Sequence, residues 1–254
     1  MICVRDIYNF LNDIAPFDTS LSFDNCGLLA GNYKNSVSKV LLSLDITADV
    51  VKEAQAIGAE LIISHHPIIF KPLKNISFNS AVHLLCKFEI NAICAHTNLD
   101  VAKEGVNYCL AKKLKISSLE PLCYEENQPL GIIGTLDESM SCTEFAQHVK
   151  NCLNCKGLRY TNIYKTIKKV AVCSGSGGDF VKEAYLKGAD AFVTGEIKHN
   201  QILEANELKL AVVDAGHYKT ENVIIAPLAE KLKEHFKDVS FFESSVFTDN
   251  IDYI

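Results

Sequence analysis

The chain has 254 residues, 48% hydrophobic and 22% charged, with a formal net charge of −6. That length holds one large domain or two small ones and is ample for a core, while no apolar run reaches the ~18 residues a membrane helix needs. Basic residues are scattered apart from Lys112-Lys113 and Lys168-Lys169, so the chain lacks the positive stripe that draws nucleic acid.

Met1 to Asp6 has no basic segment followed by an apolar core, so it does not read as a signal peptide, and the expected location is the cytoplasm. There the ten cysteines read as reduced, mostly buried thiols. Phe23-Asp24-Asn25-Cys26-Gly27-Leu28, closed by Gly31, reads by composition as a loop bearing polar groups. The apolar run Val40 to Leu44 predicts a strand. Val51-Lys52-Glu53-Ala54 opens a short amphipathic helix that breaks at Gly58-Ala59-Glu60, and Leu61 to Ile63 predicts a second strand ending in Ser64-His65-His66-Pro67. A third run, Ile90 to Ala95, ends in His96-Thr97-Asn98-Leu99-Asp100, and a helix follows over Val106 to Leu114.

Pro121 to Pro129 is polar and turn-rich and reads as a linker between an N-terminal α/β half, 1–125, and a C-terminal one, 126–254, with interleaving allowed at their interface. Cys152-Leu153-Asn154-Cys155 has C-x-x-C spacing, but no second pair completes four zinc ligands, so a structural role is expected. Val170 to Cys173 predicts a strand. Ser174-Gly175-Ser176-Gly177-Gly178-Asp179 then reads either as a tight turn or as backbone amides facing an anion; it matches neither G-x-G-x-x-G nor a Walker loop. Val181-Lys182-Glu183-Ala184, Gly188-Ala189-Asp190 and the run Ala191 to Val193 follow, ending in Thr194-Gly195-Glu196 with His199 just beyond. The last run, Leu208 to Val213, leads into His217-Tyr218-Lys219-Thr220-Glu221 and a helix over Val223 to Lys233.

The two V-K-E-A segments and their Gly-Ala-acid breaks share one ungapped register. Each unit reads strand, helix, strand, and then strand followed by H-x-x-x-acid. The fold expected is α/β, in two related βαβ-containing halves arising from internal duplication, each with a parallel sheet.

In parallel α/β sheets, ligands bind beyond the carboxyl ends of the strands. Four strands here end in metal-competent residues: His65-His66, His96 with Asp100, Glu196 with His199, and His217 with Glu221. A lone strand-end histidine is usually structural, and His83, His148 and His235 are read that way. Pro67 stops the strand just after His65 and His66, which lets both imidazoles reach one site. His217 and Glu221 are spaced i, i+4 and share one face of a helix start. Either acid alone would be read as a helix cap; four clusters at four strand ends favour metal. Five side chains, His65, His66, Asp100, His217 and Glu221, are too many for one open zinc site. They suit two divalent ions sharing a carboxylate, and zinc, manganese, iron, cobalt or nickel all fit a nitrogen and oxygen set.

These motifs resemble the NIF-three-like family, also known as GTP cyclohydrolase I type 2 homologues. The residues that carry the likeness are Phe23 to Leu28, Ser64-His65-His66-Pro67, His96 to Asp100, Thr194-Gly195-Glu196 with His199, and Gly216-His217 with Thr220-Glu221. Phe23 stands where the family usually has tryptophan, and the chain resembles the short form, which lacks an inserted central domain. The resemblance implies a two-domain α/β fold, a toroidal homohexamer with metal sites on an inner cavity, and ligation by those five side chains with Glu221 bridging. It also hints at a nucleotide-like substrate such as GTP.

The leading functional expectation is a metal-dependent hydrolase acting on a nucleotide or phosphate ester; the competing one is a non-catalytic metal-binding or regulatory protein. Asp45, His96, Glu196 and His199 exceed what ligation requires, which favours catalysis. The repeat aligns Glu196 with His66, and the family pattern does not count Glu196 as a ligand, so Glu196 is the expected proton-transfer group. His96 and His199 are weaker candidates for that task or for orienting the ligands.

Overall fold

The computed structural model describes residues 1–254. In chain order the elements are α1 (Val4–Ile14), β1 (Gly27–Ala30), β2 (Lys39–Ser43), α2 (Ala48–Ile57), β3 (Leu61–Ser64), α3 (Ala81–Phe88), β4 (Asn91–Cys94), α4 (Thr97–Val101) and α5 (Val106–Lys113). Then come β5 (Ile116–Glu125), β6 (Gln128–Ser141), α6 (Cys142–Cys152), β7 (Arg159–Tyr160), β8 (Thr166–Cys173), α7 (Val181–Leu186), β9 (Ala191–Thr194), α8 (His199–Glu207), β10 (Ala211–Asp214), α9 (His217–Glu221), α10 (Ile225–His235) and β11 (Ser240–Glu243).

The chain forms two compact units: Met1–Ala102 with Ile225–Thr248, and Lys103–Ile224 with Asp249–Ile254. These bounds differ from the expected halves 1–125 and 126–254. The segment 121–129, expected as a linker, is the end of one long antiparallel hairpin, β5 with β6, turning at Glu126 and Asn127, both at positive φ. β5 is an edge strand, where Pro121 leaves no ladder donor missing.

The first unit carries a five-stranded sheet in the order β1-β4-β3-β2-β11, parallel except for β1. Its central strands are four or five residues long and almost wholly buried, as strands covered on both faces must be. Leu41, Ile62 and Ala92 align across β2, β3 and β4 and pack under Val50, Val51 and Ala54 of α2 and Leu84 and Leu85 of α3. The second unit carries a six-stranded sheet, β5-β6-β8-β9-β10-β7, parallel through β8, β9 and β10. Val170, Val172, Val193 and Val213 of that sheet pack with Leu110 of α5 and Phe145 and Val149 of α6.

The two βαβ segments superpose in sequence register. Val40 pairs with Leu61 in the first unit, and Val170 with Ala191 in the second. The acid after each Gly-Ala break does the same work in both. Glu60 accepts the amides of Ser38 and Lys39 (3.1 and 2.8 Å), and Asp190 those of Lys168 and Lys169 (3.1 and 2.9 Å). The ammonium groups of Lys39 and Lys169 donate in turn to the carbonyls of Ile57 and Lys187, at 2.9 and 2.8 Å. Each carboxylate thus clamps the entry of the preceding parallel strand, a duty a sequence repeat alone does not disclose.

Partial burial alone would raise the carboxyl of Glu60, but the amides of Lys39 and Ser38 outweigh it and hold the group below its usual value. A depressed folded-state pKa contributes stability above the unfolded value of about 4.3, lost as pH falls through the folded one. Glu60→Ala is therefore expected to cost about 1–2 kcal/mol at neutral pH. In urea titrations the deficit should shrink in strong acid; an equal deficit at both pH values would contradict the clamp.

Candidate metal centre

In the first unit, β3 ends at Ser64, and the next two residues bring both imidazoles to the sheet's carboxyl end. His66 N–H donates to the Leu44 carbonyl at 2.9 Å, and Ser64 Oγ donates to the His66 carbonyl at 2.8 Å, so the turn is fixed from both sides. β4 ends at Cys94, and His96 stands at the N-cap of α4, which carries Asp100. His65, His66 and His96 each offer a ligand nitrogen, and these atoms lie within 4.8 Å of one another. Asp100 Oδ1 is 3.7 Å from His65 Nε2. His96, expected as a proton-transfer or orienting group, thus stands with the candidate ligands.

In the second unit, His217 and Glu221 begin and end the single turn α9, and their side chains meet: Nε2 to Oε2 is 2.9 Å. Two glycines make room for this. A Cβ on Gly175 (φ +57°) would strike the Glu221 carboxylate, and one on Gly195 would lie 2.8 Å from the His217 Cα. Ser174 to Asp179 bends at Gly175 and runs into a 3₁₀ turn from Gly177, and the bare Gly175 leaves room for Glu221. Thr220 locks the arrangement by accepting the Gly175 amide at 3.1 Å.

The orientation of the four imidazoles follows one rule. His65 Nδ1 lies 2.9 Å from the Ala95 carbonyl, His66 Nδ1 2.9 Å from Asp45 Oδ2, His96 Nδ1 2.9 Å from Asp24 Oδ1, and His217 Nδ1 2.7 Å from Glu196 Oε1. With the proton drawn to Nδ1 by an oxygen acceptor, Nε2 keeps the lone pair. Oxygen partners fix the tautomer of metal-binding histidines in this way. His217 has a carboxylate oxygen at each nitrogen, and a neutral imidazole has only one proton to share between them. A cation, or protonation of the ring, resolves that conflict. Within each unit the neighbouring imidazoles and carboxylates are nitrogen and oxygen donors of the kind that fit divalent zinc, manganese, iron, cobalt or nickel.

Asp24 is the residue that composition concealed. Its side chain is wholly buried and accepts from His96, from Thr97 N and Oγ1 (3.0 and 2.6 Å), from the Asn25 amide (2.7 Å) and from Cys26 Sγ (3.1 Å). Burial alone would raise its carboxyl, but His96 and Thr97 overcome this and hold it far below the ordinary range. The turn at Phe23–Leu28 therefore exists to deliver one carboxylate under His96.

Glu196 is engaged at both oxygens, by His217 Nδ1 and by Ser176 Oγ at 2.5 Å. The Ser176 hydroxyl, helped by His217, pulls its carboxyl below the usual value against the opposing effect of partial burial. Glu196 thereby fixes the Nδ1 side of the His217 ring. His199 is the exposed first residue of α8 and does not line the neighbouring cavity. That cavity, about 510 Å³ within the second unit, is bordered by Glu196, His217, Arg159, Lys198, Ile251 and Tyr253. No helix is long and apolar enough to cross a membrane.

A profile of the Duf34/NIF3 (NGG1p interacting factor 3) family matches residues 2–250. A curated relative from Clostridium perfringens, called GTP cyclohydrolase 1 type 2 homolog, is 34% identical over 260 aligned positions, covering 99% of both chains. A Staphylococcus epidermidis relative of the same name is 28% identical, but its alignment runs over 364 positions. It carries an insertion this 254-residue chain lacks. Among solved structures, a Bacillus cereus protein related to NIF3 superposes with a TM-score of 0.94 at 26% identity, covering 100% of this chain and 99% of that one.

Proposed function

The chain belongs to the Duf34/NIF3 family, and on that premise we propose that it is a dinuclear metal-dependent hydrolase of a nucleotide-like or phosphate-ester substrate. His65, His66, Asp100, His217 and Glu221 are the residues that would hold the ions, Glu221 serving both. The observation that carries the reading is the uniform presentation of imidazoles, each with Nδ1 held by an oxygen. When bound, such ions supply acidification of water toward neutral pH and polarisation of the scissile group. The chain's own residues do the rest. Asp45, Asp24 and Glu196 hold the rings, the glycines at 175 and 195 let Glu221 and His217 approach, and the cavity beside His217 supplies a substrate-sized volume.

Asp45, His96 and Glu196 no longer count as surplus polar groups, because each takes part in holding or forming the cluster. The case for catalysis over simple metal carriage therefore rests on that cavity. A screen of nucleotides and phosphate esters with metal-reconstituted protein tests it, and Glu196→Gln divides the two roles of Glu196. Orienting His217 predicts roughly 10–100-fold weaker metal affinity. Proton transfer predicts unchanged affinity with turnover down by ~10²–10⁴. Absence of turnover on every substrate, with metal bound, would leave the carrier reading in place.

The ring of six implied by the family likeness is part of the same proposal. Light scattering at micromolar concentration should read the mass of six chains; a monomer would contradict it.

A further inference from the structure

The cavity of about 510 Å³ beside His217 is walled in part by residues that follow Thr248 and belong to the second unit. Ile251 and Tyr253 of that segment both border it. Tyr253 is seated by the absence of a side chain: a Cβ on Gly157 would come within 2.5 Å of its Cδ1. The ring therefore lies against bare backbone, and it remains 45% exposed. One residue earlier in each segment, Lys156 and Asp252 pair at 2.5 Å. Both side chains of that pair are exposed, and exposed pairs add little. Gly157, rather than the ion pair, thus sets where the ring lies. Gly157 is not at positive φ, so its backbone would accept alanine.

The charged groups on the same cavity divide into those already engaged and those left over. Asp179 accepts from Gln201 Nε2 at 2.6 Å, and Glu196 from Ser176 and His217. Asp214 accepts the Gly216 amide and the Arg159 Nε, each at 3.1 Å, and the β10–β7 register sets Arg159 opposite it. Arg159 Nη2 donates to Asp214 and to the Ile197 carbonyl, the latter at 3.3 Å, which fixes the guanidinium and leaves its Nη1 hydrogens over. Lys198 is exposed, borders the cavity and is in no ion pair. What remains for a ligand is a fixed guanidinium edge and an ammonium, the donors that meet phosphate oxygens.

Resting on the hydrolase reading above, we propose that this cavity selects phosphate esters that also carry a planar aromatic ring, molecules of mononucleotide size, with the ring on Tyr253 and the phosphate met by Lys198 and Arg159 Nη1. A bare phosphate would fill only a small part of the volume, which lies in the range of small-molecule sites. An aromatic face backed by main chain offers a platform on which any planar base can stack, since every base has a π-face. Ile251 extends the same apolar wall. The choice of a ring-bearing ester over a plain one is therefore made by Gly157 and Tyr253, and the choice of an anion by Lys198 and Arg159.

The test is calorimetric titration of the full chain, metal-free and zinc-treated, with adenosine 5′-monophosphate, ribose 5-phosphate and inorganic phosphate. The ring-bearing ester should bind roughly 10–100-fold more tightly than ribose 5-phosphate, the range that stacking of one base supplies. Tyr253→Ala should bring that ratio close to one, and Gly157→Ala, which pushes the ring aside, should do the same. Tyr253→Phe keeps the platform and should keep the ratio. Lys198→Ala should weaken all three probes alike, by about tenfold, because it removes a charge-assisted bond to phosphate. Equal affinity for the two sugar phosphates, a ratio unchanged in Tyr253→Ala, or no binding of any probe in either state would overturn the ring site. Undiminished affinity in Lys198→Ala would overturn the phosphate contact. Turnover of plain phosphate esters without preference for a ring would sink this inference and leave the hydrolase reading standing. A ring preference abolished by Tyr253→Ala, with no ester turned over, would sink that reading and leave the binding site.

Discussion

Glu221→Ala is expected to strip the protein of most of its metal and to abolish the stabilisation that metal confers. The Glu221 side chain is only 5% exposed and pairs at 2.9 Å with His217, one turn earlier on α9. A carboxylate withdrawn from water costs several kcal/mol unless a cation compensates it. The chain goes to some length to seat this group, since Gly175 sits where any side chain would displace it and Thr220 pins the same turn. A divalent ion would add to the compensation that His217 gives, and a carboxylate serving two ions is the one whose loss affects both. In wild type, metal at a thousand times its Kd should raise stability by about 4 kcal/mol. In the variant that rise should nearly vanish, and thermal denaturation with and without zinc reads it directly. Should the variant gain as much stability from zinc as wild type, Glu221 is not a ligand.

The second large effect is expected at Asp24, which touches no metal in the proposal. Its two oxygens receive Asn25, His96, Cys26 and two donors from Thr97, all in a buried setting. Asp24→Ala leaves these donors without their acceptor and should cost about 3–5 kcal/mol. It should also free the His96 ring and weaken metal binding roughly 10–100-fold. Asp24→Asn separates the two consequences. It keeps the volume but presents an amide where Thr97 or His96 needs an acceptor, so part of the stability returns while the metal affinity stays low. The sign with pH is fixed by the depressed carboxyl of Asp24: its contribution is complete above about pH 3.9 and declines only as pH falls through the lower folded value. Wild-type affinity in Asp24→Asn would contradict the support assigned to it.

Much of the architecture was legible because parallel βαβ units write themselves locally. The runs at Val40, Leu61, Val170 and Ala191 became β2, β3, β8 and β9 in matching register, and the residues following them became the strand-end clusters. His217 and Glu221 met on one helical turn, as an i, i+4 spacing requires. What escaped notice depends on pairing across long sequence distances. β11 joins β2 some two hundred residues earlier, so α10 and β11 return to the first unit although the chain order assigns them to the second. The hairpin of β5 and β6 was hidden by Pro121 and by the half-exposed alternation of an edge strand. Asp24 was hidden because its partners, His96 and Thr97, lie more than seventy residues away, and the turn around it carries no periodic signal. Glu196 was located at the strand end by the repeat, but its hydrogen bonds to Ser176 and His217, each about twenty residues away, were not legible there.

The central claim is that imidazoles and carboxylates from the strand ends hold two divalent ions in each chain. Elemental analysis of the full-length protein, reconstituted with zinc, manganese or iron and freed of loosely bound metal, tests it most directly. The account predicts close to two ions per chain in wild type, falling well below one in Glu221→Ala. Wild-type protein that emerges free of metal, or a Glu221→Ala variant with a full complement, would contradict it.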